Sequence, residues 1–208
     1  MKKIELNGQW QMSGNQYVCT GTVPGSVYSF LLENGLMEDP YFRQNEISAT
    51  KLADHDYTFS RTFSFDNPGE AALLCCEGLD TLCDIYINGT FVGHTKNMHR
   101  KYEFNVGGLL KPENEIKLIF HSANRFFKEA NKINPTPANR ETLVGYSHLR
   151  KSFCMSGWDW APQLPDAGIW RDIYLLVGNT DRIKDVRITQ RHEKGRVWIT
   201  PRVLTEKD

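Results

Sequence analysis

Polar and apolar residues alternate with a period of two along much of this chain. In residues 56–65, Tyr57, Phe59, Phe63 and Phe65 share one face with Arg61, while Thr58, Ser60, Thr62 and Ser64 share the other. That is the pattern of a half-buried β-strand. Cys83, Ile85 and Ile87 alternate with Asp84 and Tyr86 and lead into Asn88-Gly89. Asn-Gly supplies both left-handed positions of a type I′ turn, so residues 84–92 predict a hairpin. Tyr102, Phe104 and Val106 predict another strand, as do Ile116, Leu118 and Phe120 after a turn at 112–114, and Ile173, Leu175 and Val177. Residues 71–76 are continuously apolar, as in a strand covered on both faces. Helix is scarce. Ser26 is a candidate N-cap, with Val27, Phe30 and Leu31 on one stripe and Gly35 as the stop, and residues 125–132 form a second short candidate.

Many short strands separated by turns predict an all-β fold, a jelly-roll β-sandwich. Three stretches, 38–55, 134–147 and 154–168, show no periodicity and are expected to be irregular. Loops this long in a compact domain are often functional. Residues 178–181 read as a linker. Beyond it, 183–190 and 196–204 are strand-like around a turn at 193–195. A lone hairpin is marginal in water, so a second β-domain is expected to begin near Arg182, with only its first strands present.

The length of 208 residues allows one full domain and part of another. Hydrophobic residues make up 40% and charged residues 24%, enough for a packed core. Lys+Arg and Asp+Glu both number 25, a net charge of +0 that gives no field to attract nucleic acid or an acidic membrane. No apolar run is long enough to span a bilayer, and the first ten residues lack the apolar core of a signal peptide. A cytoplasmic location is expected, or a secreted or periplasmic one if a leader has been removed. The five cysteines, Cys19, Cys75, Cys76, Cys83 and Cys154, form no CxxC pair, which disfavours zinc and fits free, mostly buried thiols. The six histidines, His94, His99, His121 and His148 among them, show no ligand spacing. Neither a metal nor a cofactor is expected.

Chemistry concentrates in one segment. Gly157-Trp158-Asp159-Trp160 falls in the stretch 154–168, with Trp170 ten residues on. Two tryptophans flanking a carboxylate suit a sugar: an indole packs on the C–H face of a pyranose, and a carboxylate accepts hydrogen bonds from neighbouring hydroxyls. The same residues equally suit a structural plug with Asp159 capping a turn.

The run Arg150-Lys151-Ser152-Phe153-Cys154-Met155-Ser156-Gly157-Trp158-Asp159-Trp160-Ala161-Pro162 resembles the β-mannosidase pattern R-K-x-x-C-x-x-G-W-D-W-G-P of glycoside hydrolase family 2. Leu164-Pro165-Asp166-Ala167-Gly168-Ile169-Trp170-Arg171 resembles its L-P-T-A-G-I-W-R. Val23-Pro24-Gly25-Ser26-Val27, Glu77-Gly78-Leu79-Asp80-Thr81 and Gly93-His94-Thr95-Lys96-Asn97-Met98-His99-Arg100 match further blocks in order and spacing. Ala161 replaces a usual glycine and Asp166 a common threonine.

The resemblance implies a galactose-binding-like jelly roll over residues 1–178, and the start of an immunoglobulin-like β-sandwich over 179–208. It implies that both catalytic carboxylates lie in a (β/α)₈ barrel outside this chain, so that the chain alone is inactive. The whole enzyme would be a retaining exo-β-mannosidase that removes terminal β-linked mannose through two carboxylates about 5–5.5 Å apart. Trp158 and Asp159 then fall on the wall around the terminal mannose, and Trp160 supports them. The alternatives are a free-standing carbohydrate-binding module and the equivalent domain of a β-galactosidase or β-glucuronidase.

Overall fold

The computed structural model describes residues 2–159, 161–178 and 182–205. They fall into two compact units, Lys2–Val177 and Gly178–Asp208.

The first unit starts with β1 (Lys2–Glu5), β2 (Gly8–Gly14), β3 (Tyr17–Val23) and the short β4 (Gly25–Ser26), followed by helices α1 (Val27–Glu33) and α2 (Asn45–Leu52). The middle of the chain forms β5 (Tyr57–Ser64), β6 (Ala72–Cys76), β7 (Leu79–Asp80), β8 (Leu82–Ile87), β9 (Thr90–Lys96), β10 (Tyr102–Asn105) and β11 (Glu113–Phe120). Helix α3 (Ala123–Ile133), β12 (Ser156–Trp158), β13 (Ala161–Gln163), β14 (Gly168–Ile169) and β15 (Ile173–Val177) complete it.

Two antiparallel sheets make the sandwich, one of six strands in the order β3-β2-β5-β11-β8-β9 and one of four in the order β1-β15-β6-β10. The inward positions of both form one core: Trp10, Met12, Phe59, Ile85, Ile87, Ile116, Leu118 and Phe120 from the first, Leu74, Cys76, Ile173, Leu175 and Val177 from the second. Phe30 of α1 meets Phe59 edge-on at 5.0 Å, and Phe59 meets Phe120 at 5.3 Å, the geometry that aromatic quadrupoles favour. Arg61, the cation on the apolar face of β5, donates to the backbone oxygens of Leu6 and Asn7, pinning the link between β1 and β2. The β8–β9 turn is left-handed at both central residues, Asn88 at φ 51° and Gly89 at φ 79°, as the Asn-Gly pair requires. Ser26 caps α1 in a reciprocal capping box with Ser29. A smaller satellite core of Leu82, Ala123, Phe127 and Leu149 lies beside α3.

The sequence expectations need three corrections. Strands β1 to β3 were not foreseen, because β2 offers only Trp10 and Met12 as inward apolar positions among polar neighbours. Residues 38–55 are not wholly irregular, since they contain α2. That helix buries only Ala49 and so carries no apolar stripe. Its last carbonyls, which a helix leaves short of partners, are met by the backbone of the turn that follows and by distant side chains as well. The Tyr28 hydroxyl donates to Ala49 (2.8 Å), Asn124 to Thr50 (3.2 Å), the Tyr57 hydroxyl to Leu52 (3.1 Å) and the Ser122 hydroxyl to Ala53 (2.6 Å). Residues 154–168 contain the small hairpin β12–β13, in which Ser156 pairs with Gln163 and Trp158 with Ala161.

The second unit is a hairpin of β16 (Ile183–Glu193) and β17 (Arg196–Thr205). The expected linker at 178–181 lies outside the described residues except for Gly178. Cross-strand register puts Val186 opposite Val203 and His192 opposite Val197, and Ile188 and Ile199 point the same way. The other face carries Arg187 opposite Arg202, Thr189 opposite Thr200, and Arg191 opposite Trp198. One face is thus apolar and the other charged.

A two-stranded sheet with exposed apolar residues opens readily. Amides of residues 183–205 are therefore expected to exchange with deuterium far faster than those of Tyr57–Ser64. Equal protection in both segments would show that something covers the hairpin.

Candidate functional site

The β12–β13 hairpin carries the residues singled out in the sequence. Trp158 ends β12 and is 40% exposed. Asp159 is exposed and sits in the turn, and Trp160 lies outside the described residues. The turn is held rigidly from below. Gly157 takes φ 90°, and a Cβ there would stand 2.4 Å from the Glu141 carbonyl oxygen and 2.6 Å from Gln163 Cγ, so no larger residue fits without displacing backbone. Leu143 N–H donates to the Ser156 carbonyl at 2.9 Å. The Gln163 side chain donates to Glu141 O at 3.1 Å, and its N–H donates to Glu46 Oε1 at 3.1 Å. The Thr50 hydroxyl donates to the Gln163 carbonyl. Glu46 and Thr50 are on α2, so the helix that local sequence did not reveal is a brace of the hairpin.

A second brace is ionic. Lys151 is 3% exposed. Its ammonium donates to Asp80 Oδ2 at 2.5 Å and to the Asp166 carbonyl oxygen at 2.5 Å. Asp80 is in β7, which pairs with β14, and β14 in turn pairs with β4. One lysine therefore joins the start of the hairpin segment to β7 and to the stretch that enters β14. Asp166 accepts the N–H of Tyr28 at 3.2 Å and of Ala167 at 2.8 Å, acceptor work that suits its replacement of a threonine. Burial lifts its carboxyl to about 6, against the Ser26 and backbone hydrogen bonds and the nearby Lys151 charge.

Elsewhere, Asp84 bridges two imidazoles, His94 Nδ1 at 2.6 Å and His121 Nε2 at 2.8 Å. Burial pushes its carboxyl up, but the hydrogen bonds from His94 and His121 outweigh that and hold it below the usual range. Among the described residues no disulfide joins the cysteines; Cys154 is exposed and the other four are buried. No helix among the described residues is long and apolar enough to cross a membrane. Lys151, Glu46, Thr50 and Gln163 were not recognised as site residues from the sequence. Only Lys151 lay in a quoted motif, and the contacts of the other three are non-local.

An open sandwich of two antiparallel sheets is the architecture of galactose-binding-like domains. The chain belongs to the glycosyl hydrolase 2 galactose-binding domain-like family, whose model matches residues 9–171. It is 32% identical over 187 residues to a β-mannosidase of Rattus norvegicus, covering 84% of this chain and 21% of that protein. The crystal structure of a β-D-mannosidase from Dictyoglomus thermophilum matches with a TM-score of 0.87 at 30% identity, over 98% of this chain and 26% of that one. The exo-chitosanase of Amycolatopsis orientalis, at 16% identity and a TM-score of 0.67, shares the fold. The chain thus spans between a fifth and about a quarter of the length of the relatives it matches.

Two outcomes follow from the braces. Lys151→Met leaves the Asp80 carboxylate buried without its counter-charge and is expected to cost about 3–5 kcal/mol in urea unfolding. A loss below about 1 kcal/mol would show that the pair holds nothing together. For Asp166, folding raises the carboxyl pKa, so between about pH 4 and 6 the native state keeps a proton that the unfolded chain has released. Stability should therefore fall as pH rises through that window. Asp166→Asn retains an acceptor oxygen and should remove this slope. If wild type and variant kept parallel stability curves over this range, burial of the carboxyl would not be the controlling factor.

Proposed function

We propose that this chain is the N-terminal sugar-binding domain of a retaining exo-β-mannosidase, which removes terminal β-linked mannose from oligosaccharides with catalytic carboxylates on a (β/α)₈ barrel outside these residues. The carrying observation is the braced hairpin: a partly exposed indole, Trp158, and an exposed carboxylate, Asp159, at the tip of a turn clamped by Gly157 and α2. The indole offers a stacking face and the carboxylate accepts from sugar hydroxyls. Trp160 is assigned a supporting role. The likeness to β-mannosidases supports this specificity over that of a β-galactosidase or β-glucuronidase.

In this reading the hairpin forms part of the active-site wall and faces the protein's own barrel. By itself the chain is expected not to hydrolyse a β-mannoside. The apolar face of β16–β17 supports the second part of the reading, the opening strands of an immunoglobulin-like domain whose further strands would cover Val186, Ile188, Val197 and Ile199. A free-standing carbohydrate-binding module gives that face no such use.

A hydrogen bond to a charged group contributes roughly 1.5–3 kcal/mol. Asp159→Ala in the full-length enzyme should therefore lower kcat/KM for a β-mannoside by roughly tenfold to a hundredfold, with little change in melting temperature. If Asp159 only caps a turn, the variant loses stability and keeps full activity, and the substrate-binding assignment is wrong.

A further inference from the structure

We propose that the groove between Tyr41 and β13 binds the second sugar of the oligosaccharide, the ring released when the terminal mannosyl bond is cleaved, with Tyr41 as its stacking platform. This rests on the assignment of Trp158 and Asp159 to the terminal sugar. The groove has a volume of about 440 Å³ and is lined by Pro40 and Tyr41, by Ala161 and Pro162 of β13, and by Ser29 and Asp166. Ala161 pairs across the hairpin with Trp158, so the groove opens one residue pair away from the proposed terminal-sugar site. An oligosaccharide whose end ring lies on Trp158 and Asp159 has its next ring within reach of this groove.

Tyr41 is 75% exposed, a large aromatic surface left in water, yet the turn beneath it is well ordered by hydrogen bonds. Its own N–H donates to Asp39 Oδ1 at 2.9 Å. The Asp39 carbonyl accepts from Phe42 N–H at 3.1 Å and from the Asn45 side chain at 2.9 Å, and Pro40 is buried. Arg43, two residues on, takes φ 54°, a left-handed conformation that a non-glycine residue holds only when its surroundings impose it. A rigid turn that presents an exposed aromatic face binds a ring with little loss of conformational freedom. The Ser29 hydroxyl is spent on Ser26 in the capping box and the Asp166 carboxyl on Tyr28 and Ala167, so the groove holds its ring by the face of Tyr41 rather than by these polar groups.

The test compares two substrates of the full-length enzyme: β-1,4-mannobiose, which has a second ring, and β-mannosyl fluoride, whose leaving group is a single atom. Tyr41→Ala is expected to lower kcat/KM on mannobiose about three- to tenfold and to leave the fluoride within about twofold. Tyr41→Phe keeps the ring face and should behave as wild type on both. Equal losses on both substrates would assign Tyr41 to domain docking or to the terminal sugar and overturn the proposal. No loss on either would overturn it as well. Asp159→Ala is the control for the underlying reading: it should lower both substrates together, and full activity on the fluoride would sink that reading whatever Tyr41 does.

Discussion

A lysine ammonium with almost no access to water governs the end of this sandwich. Lys151 sits where β7, β14 and the segment leading into β12 converge, and it satisfies Asp80 and the Asp166 carbonyl together. Such a pair adds little net stability relative to an apolar substitute, but removing one member strands the other. What it secures is geometry. The short strands β4, β14 and β7 pair with one another and bury Leu79 and Ile169 in the main core, and Lys151 ties the segment leading into β12 to them. The segment that leads into the hairpin starts from this contact.

The sandwich was legible wherever one face of a strand is buried, because alternation is then written directly into the residues. β5, β8 and β11 are of this kind, and β6 and β15, covered on both faces, are apolar along nearly their whole length. α2 was not legible. Its stability comes from Tyr28, Tyr57, Ser122 and Asn124 capping its carbonyls, and such long-range donors leave no local period. The candidate site divides the same way. Trp158 and Asp159 stood out by composition, whereas Glu46, Thr50 and Gln163, which fix them, are ordinary polar residues whose roles appear only when the chain is folded. The hairpin itself was read as loop because three-residue strands are too short for alternation to register.

That division has a chemical logic. Under the proposed function, a carboxylate that is to meet a sugar hydroxyl sits in water until the sugar arrives, so it cannot be anchored by burial of its own side chain. Positional accuracy has to be supplied by neighbours. Here Gly157 lets backbone and side chain approach to contact distance, and α2 supplies a carboxylate acceptor and a hydroxyl donor to the two main-chain groups of Gln163. Tyr41 is placed by the same strategy, with a buried proline and an aspartate-centred turn beneath an exposed ring. The two proposed sugar contacts thus stand on hydrogen-bonded supports.

The Asn88-Gly89 turn carries a consequence of a different sort, concerning chemical ageing. Asn-Gly is the dipeptide most prone to spontaneous deamidation, in which the glycine nitrogen attacks the asparagine amide carbon and closes a succinimide. That attack needs a mobile side chain. Asn88 donates to the Leu109 carbonyl and to Asn114 Oδ1, each at 2.9 Å, and accepts the Glu115 N–H at 2.9 Å. Three hydrogen bonds hold the amide away from the trajectory that ring closure demands. In the folded domain this asparagine is shielded by its own structural duty, and isoaspartate accumulating at position 88 would mark molecules whose β8–β9 hairpin has come apart.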